Sequence, residues 1–185
     1  METREATLPK DNSVDPAGEF AMNVPDQLLY LLFQAIHHRD SRLGERLASV
    51  GLTLARWRTL AVIRRVGQCS MKDLSRYSTI DRTTLTRSVD QLVEAGLVDR
   101  HVPPTDRRVV LLTLTTLGEQ TYSLAVNLLL DFNREALAGV AMEDQRVMAR
   151  GLEQILINLI PDQEEAIAVI DFGRTRRERL DRTKP

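Results

Sequence analysis

The sequence holds one cysteine, Cys69, in 185 residues. An internal disulfide framework is therefore excluded, and the reducing cytoplasm is the expected compartment. Aromatic residues make up only 4%, so Leu, Val, Ile and Ala must fill the core. No apolar run approaches the roughly 18 residues of a membrane span, and no membrane partner is expected. The opening stretch METREATLPKDNSVDPAGEF has no apolar segment after a basic start and does not read as a secretory signal. Being polar, with Pro9, Pro16 and Gly18, residues 1–24 read as a disordered arm. The chain also lacks zinc-ligand spacing, a phosphate loop and a nucleophile–base–orienter set. No metal, cofactor or enzymatic activity is expected, and His37, His38 and His101 do not form a catalytic group.

Apolar residues make up 43%, enough for a sizeable core, and the low aromatic content suits packed helices better than a sandwich or barrel. The formal net charge is −1, but the charge is unevenly spread. From Gly51 to Gly118 there are eleven Lys and Arg against six Asp and Glu, while the remainder carries fourteen against twenty. A basic middle between acidic flanks suits a segment that meets a polyanion.

Apolar spacing predicts a first helix from about Pro25 to Ser49, stopped near Gly51. Thr53 is placed to cap a second, LARWRTLAVIRRV, that ends at Gly67. Ser70 or Cys69 opens a short third helix, MKDLSRYS. Asp81 caps a fourth, RTTLTRSVDQLVEA, ending at Gly96. Two short β-branched runs, LVDRHV and VVLLTL, flank the turn-forming PPTDRR and predict a hairpin. A long helix starts at Thr115 or Thr116, with Thr116 and Glu119 spaced as a capping box that Gly118 weakens. It runs to about Ala138. Further helices are expected at about Glu143–Leu159 and Glu164–Leu180. The expected fold is mainly α with a small β-hairpin wing (α+β): a winged helix-turn-helix with a helical dimerisation region. Its expected parts are a dimerisation helix at 25–50, the winged helix-turn-helix at 51–115, dimerisation helices at 116–172 and a basic tail at 173–185. The outer helices bury their apolar faces by pairing, and a second chain is the natural partner.

The fourth helix carries the functional reading. Leu85, Val89, Leu92 and Val93 form one apolar face. The opposite face is centred on Arg87, flanked by Thr83, Thr84, Asp90 and Gln91, with Arg82 and Thr86 at its margins. Arg bonds guanine O6 and N7 bidentately, Thr meets a base edge or a thymine methyl, and a helix N-terminus favours phosphate. Taken alone, the same pattern also describes an ordinary solvated helix face. The preceding short helix and the following wing favour double-stranded DNA. At the hairpin apex, Arg107 and Arg108 are placed for the minor groove, with Asp106 holding one of them, taken as Arg108. A charged tip that only keeps the hairpin soluble is the competing reading.

From LTLARWRTLAVI through DLSRYSTIDRTTLTRSVDQLVEAGLVDRHVPPTDRRVVLLTLTTLGEQ the sequence resembles the MarR family (multiple antibiotic resistance regulators). The T-L-T-R core of the fourth helix, the G-L-V turn, the D-R-R wing tip and the L-T-x-x-G helix start carry the resemblance, over about 70 residues. It implies a homodimeric transcriptional regulator, by default a repressor, on a palindromic operator, with an interface made by the first and last helices. It also implies release by a small effector bound between the lobes, often a phenolic or other aromatic acid, possible thioesters included. Carried over by position, Arg87 and the threonines read the major groove, and Arg108 or Arg107 the minor groove.

His37, His38 and Arg39 on the first helix are candidate effector contacts, or else a solvated or interface strip. Trp57 either packs at a lobe junction or stacks on the effector. Cys69, near a helix N-terminus that favours a thiolate, is either a redox switch or a small turn residue. A ligand-independent architectural DNA binder is a further alternative.

Overall fold

In a computed structural model of the chain, which describes residues 24–104 and 109–174, the elements run α1 (Val24–Ala48), α2 (Leu54–Val66), β1 (Cys69–Ser70), α3 (Met71–Tyr77), α4 (Arg82–Glu94), β2 (Val98–His101), β3 (Leu111–Leu114), α5 (Thr116–Ala136), α6 (Met142–Leu159) and α7 (Gln163–Gly173). Nearly all of the predicted arm, the wing-tip residues Asp106, Arg107 and Arg108, and the tail beyond Arg174 lie outside the described residues. The protein is mainly helical with a small antiparallel sheet, in the order of a winged helix-turn-helix.

Contacts divide the chain into two units, residues 1–42 and 43–185. In the first, α1 carries an exposed apolar row that includes Leu28, Leu29, Leu31 and Phe33. The second holds the core. Leu43 and Leu47 from the end of α1, Trp57, Leu60 and Ile63 from α2, Leu74 from α3, and Leu85, Val89 and Leu92 from α4 are buried together with Val98, Leu112, Ala125 and Phe132. Burying a Leu or Val side chain stabilises by about 1.5–3 kcal/mol, so the inner face of α4 is a main tie of the helix-turn-helix to its support.

Local chemistry explains the element ends. The Thr53 hydroxyl accepts from the Arg56 amide at 3.3 Å, opening α2. Gly67, at φ 87°, ends it in a conformation other residues rarely adopt. Ser70 and Asp73 form a reciprocal capping box: the Ser70 hydroxyl accepts from the Asp73 amide at 3.2 Å, and the Asp73 carboxylate accepts from the Ser70 amide at 2.9 Å. The Asp81 carboxylate accepts from the Thr84 amide at 2.9 Å. The turn between α3 and α4 places Thr79 at φ 53°, a strained position for a β-branched residue.

Three expectations need correction. A short strand, β1, was not foreseen: two residues carry no alternation, yet Cys69 pairs with Leu112 and Ser70 with Leu111, giving the order β1-β3-β2. The cap of α5 is Thr115, whose hydroxyl accepts from the Gly118 amide at 3.0 Å and donates to the Gly96 carbonyl at 2.7 Å. The Thr116–Glu119 box does not form, and Glu119 instead pairs with Arg64 of α2 at 2.7 Å. Finally, α7 ends at Gly173, because Arg174 turns to extended backbone and its guanidinium reaches Glu153 of α6 at 2.8 Å.

Gly118 is a fitting residue and not a weakness. A β-carbon there would collide with the Leu97 carbonyl oxygen, a backbone atom that cannot rotate away. Gly118→Ala is expected to cost about 1–3 kcal/mol through overpacking, read as a lower denaturation midpoint with an unchanged m-value.

Candidate nucleic-acid interface

Along α4 burial separates two faces. Leu85, Ser88, Val89 and Leu92 are buried, whereas Arg82, Thr83, Thr84, Thr86, Arg87 and Asp90 are exposed. Arg82, Thr83, Thr86, Arg87 and Asp90 line one open surface depression of ≈ 500 Å³. The structure therefore brings together five of the six α4 residues singled out from the sequence, and Thr84 stands exposed on the first turn. The Thr86 hydroxyl donates to the Arg82 carbonyl at 2.9 Å, which commits its proton.

The helix is held from behind and from the side. Arg56 of α2 donates to the Gln91 side chain at 3.1 Å. Asp90 pairs with Arg100 of β2, so α4 and the wing strand share an ion pair. An acceptor-only carboxylate cannot bond phosphate, and this partner gives Asp90 a positioning task. At the N-terminal end, hydrogen bonds from Thr84 hold the Asp81 carboxyl below its ordinary value of 3.8. Arg56 and Arg100 were not singled out from the sequence, and Gln91 was placed on the outer face of the helix without its partner. Only the opposite signs of Asp90 and Arg100 hinted at the pairing, since contacts between elements leave no periodic trace. Lys72 and Arg76 on α3 are exposed as well and add positive charge next to the N-terminus of α4.

The other candidates sit elsewhere. Trp57 is 6% exposed and stacks on Tyr122 of α5 at 5.5 Å between ring centroids, a core contact. His37 and His38 are exposed on α1, with their rings edge to face at 5.3 Å, and Arg39 pairs with Asp40 at 3.0 Å. Asp106, Arg107 and Arg108 lie outside the described residues. Of the two readings of Cys69, the structure favours the small buried residue over the redox switch. It is fully buried in β1, and burial followed by the negative charge of Asp73 pushes the thiol up to about 12. The capping carboxylate opposes the helix N-terminus that was expected to favour a thiolate.

The model of the MarR family matches residues 50–109, the stretch from the end of the α1–α2 turn to the wing. The Multiple antibiotic resistance protein MarR of Escherichia coli is 28% identical over 130 residues, covering 68% of this chain and 88% of that protein. A mutant of E. coli MarR solved in complex with operator DNA superimposes with a TM-score of 0.64 at 25% identity, covering 73% of this chain and 99% of that one. Over this stretch the chain is similar to the regulators of the MarR family. The HTH-type transcriptional repressor IacR of Pseudomonas putida is 27% identical over 125 residues, covering 67% of this chain and 75% of IacR. The protein is a DNA-binding transcriptional regulator of the kind its MarR-like stretch indicates, and the relatives it resembles are regulators, not enzymes. Among the described residues no helix is long and apolar enough to cross a membrane.

The state of Cys69 is testable. A raised thiol pKa stabilises the fold fully below the ordinary 9.0, and the contribution is lost as pH rises toward about 12, because the unfolded chain releases its proton first. At pH 8 the native thiol is expected to react with an aromatic disulfide reagent about 100-fold or more slower than after unfolding in urea. Equal rates in the two states would put Cys69 back among reactive thiols.

Proposed function

We propose that the protein is an effector-responsive repressor that binds a palindromic operator as a homodimer, with α4 of each protomer in a major groove. The observation that carries this reading is the two-sided α4: an inner apolar face locked in the core, and an outer N-terminal half of Arg and Thr. Arg87 is the guanine-reading residue, Thr83, Thr84 and Thr86 meet base edges and thymine methyls, and Arg82 meets phosphate. Arg107 and Arg108 enter the flanking minor groove, with Asp106 steering one of them. The IacR name supports repression and the operator complex of E. coli MarR supports the DNA mode.

The dimer is supported by apolar surface that a monomer would leave in water. Phe33 is 66% exposed on α1, and Met142 and Leu159 are 62% and 70% exposed on α6. No residue of α6 is buried, although its apolar residues recur at helical spacing. Exposed patches of this kind mark association surfaces. The proposed effector is a phenolic or other aromatic acid or its thioester. His37, His38 and Arg39 are the candidate carboxylate contacts, and Trp57 is a weaker candidate because its ring is committed to Tyr122. Binding would favour a spacing of the two α4 helices that no longer fits half-sites about one helical turn apart.

Arg87→Ala is expected to weaken binding to a selected operator by about 10- to 100-fold per half-site, with little change on random DNA. Anisotropy titrations on both duplexes measure this. Unchanged discrimination would overturn the assignment of α4 as the reading helix. Sedimentation is expected to give a dimer, and an aromatic acid that raises the melting temperature is expected to lower operator affinity. A monomer that still binds the full palindrome would refute the dimeric reading.

A further inference from the structure

The last helix, α7, is tied to the helix-turn-helix by a clasp. Phe172 stacks on Tyr77 of α3 with ring centroids 4.1 Å apart and planes at 7°. The Arg65 guanidinium of α2 lies 4.8 Å from the Phe172 ring and donates to the Arg174 carbonyl. Arg174 in turn holds Glu153 of α6 and Asp171 at 2.8 and 2.9 Å. Ala166 and Ile170 are the buried residues of α7 itself. The clasp fixes the position of the acidic first turn of α7. Asp162 and Glu165 line the same cleft of ≈ 620 Å³ as Lys72, Ser75 and Arg76 of α3 and Arg82 of α4. One wall is cationic and the other acidic. Among the described residues no ion pair joins Lys72, Arg76 or Arg82 to either carboxylate, so both signs face whatever approaches the cleft.

We propose that Glu165, seconded by Asp162, is a built-in brake on DNA affinity: it repels the phosphate backbone that Lys72, Arg76 and Arg82 attract. This rests on the reading that α3 and the N-terminus of α4 approach the duplex. At physiological salt charges act over about 8 Å, and the two carboxylates share one cleft with the cations that would hold phosphate. Its repulsion does not depend on base sequence, so it lowers specific and non-specific affinity alike. The brake keeps the complex weak enough for a modest effector-driven shift to empty the operator.

Acidic residues at a helix start also serve the helix itself. The Asp162 carboxylate accepts from the Glu164 and Glu165 amides at 2.9 and 3.1 Å, and glutamates there favour the helix dipole. Glu164 shares that role but does not line the cleft, so it is the control.

The test compares the wild type, Glu165→Gln, Glu164→Gln and Arg82→Ala by anisotropy over a range of salt. The probes are a duplex selected by the protein from a random pool and a shuffled duplex of the same length. Glu165→Gln is expected to tighten both complexes by about 3- to 10-fold at low salt and to steepen the salt slope by up to about one per protomer. The ratio of the two affinities should stay constant, and Glu164→Gln should match the wild type. Equal gains in both Glu variants would overturn the proposal in favour of net charge alone. If Arg82→Ala weakens binding while Glu165→Gln changes nothing, the brake falls and the DNA reading stands. If Arg82→Ala is also silent, the contact reading itself fails.

Discussion

Burial of the inner face of α4 against α2 is the constraint on which the rest depends. Leu85, Val89 and Leu92 leave the helix one orientation, and that orientation turns Arg82, Thr83, Thr86 and Arg87 outward as a set. Arg56 to Gln91 and Arg100 to Asp90 then fix roll and tilt. Rotating the helix by one residue, about 100°, would bury charge and expose leucine, so reading geometry and core stability are one property of the sequence.

The same constraint made this part legible beforehand. Helical periodicity, the Asp81 cap and the Gly67 stop are local signals, and they locate α2 and α4 to within a residue or two. Two-residue β1 has no such signal, because pairing with Leu112 is settled by tertiary contact. The Thr115 cap was one of two adjacent threonines, and Glu119 was drawn away by an arginine more than fifty positions earlier. The sequence left Cys69 open between two readings for a similar reason: closeness to a helix start is visible in sequence, whereas burial and the field of Asp73 are not.

The outer helices follow a different logic. Most apolar residues from Val24 to Ile36 on α1, and Met142, Val147, Met148 and Leu159 on α6, stay exposed within the described chain, so their burial falls to whatever packs against them. By contrast, α7 is committed by aromatic stacking and a buried-side guanidinium network. It is tied to α2 and α3 of the helix-turn-helix, although it is remote in sequence.

The close approach at Gly118 has a mechanical meaning. Its backbone rests on the Leu97 carbonyl at the entrance to β2, and the Thr115 amide donates to that same oxygen at 3.1 Å. The long helix and the root of the wing thus meet without an intervening side chain to absorb displacement. Any tilt of α5 is delivered to the hairpin as a rigid lever delivers it to its fulcrum, whichever event sets that helix in motion.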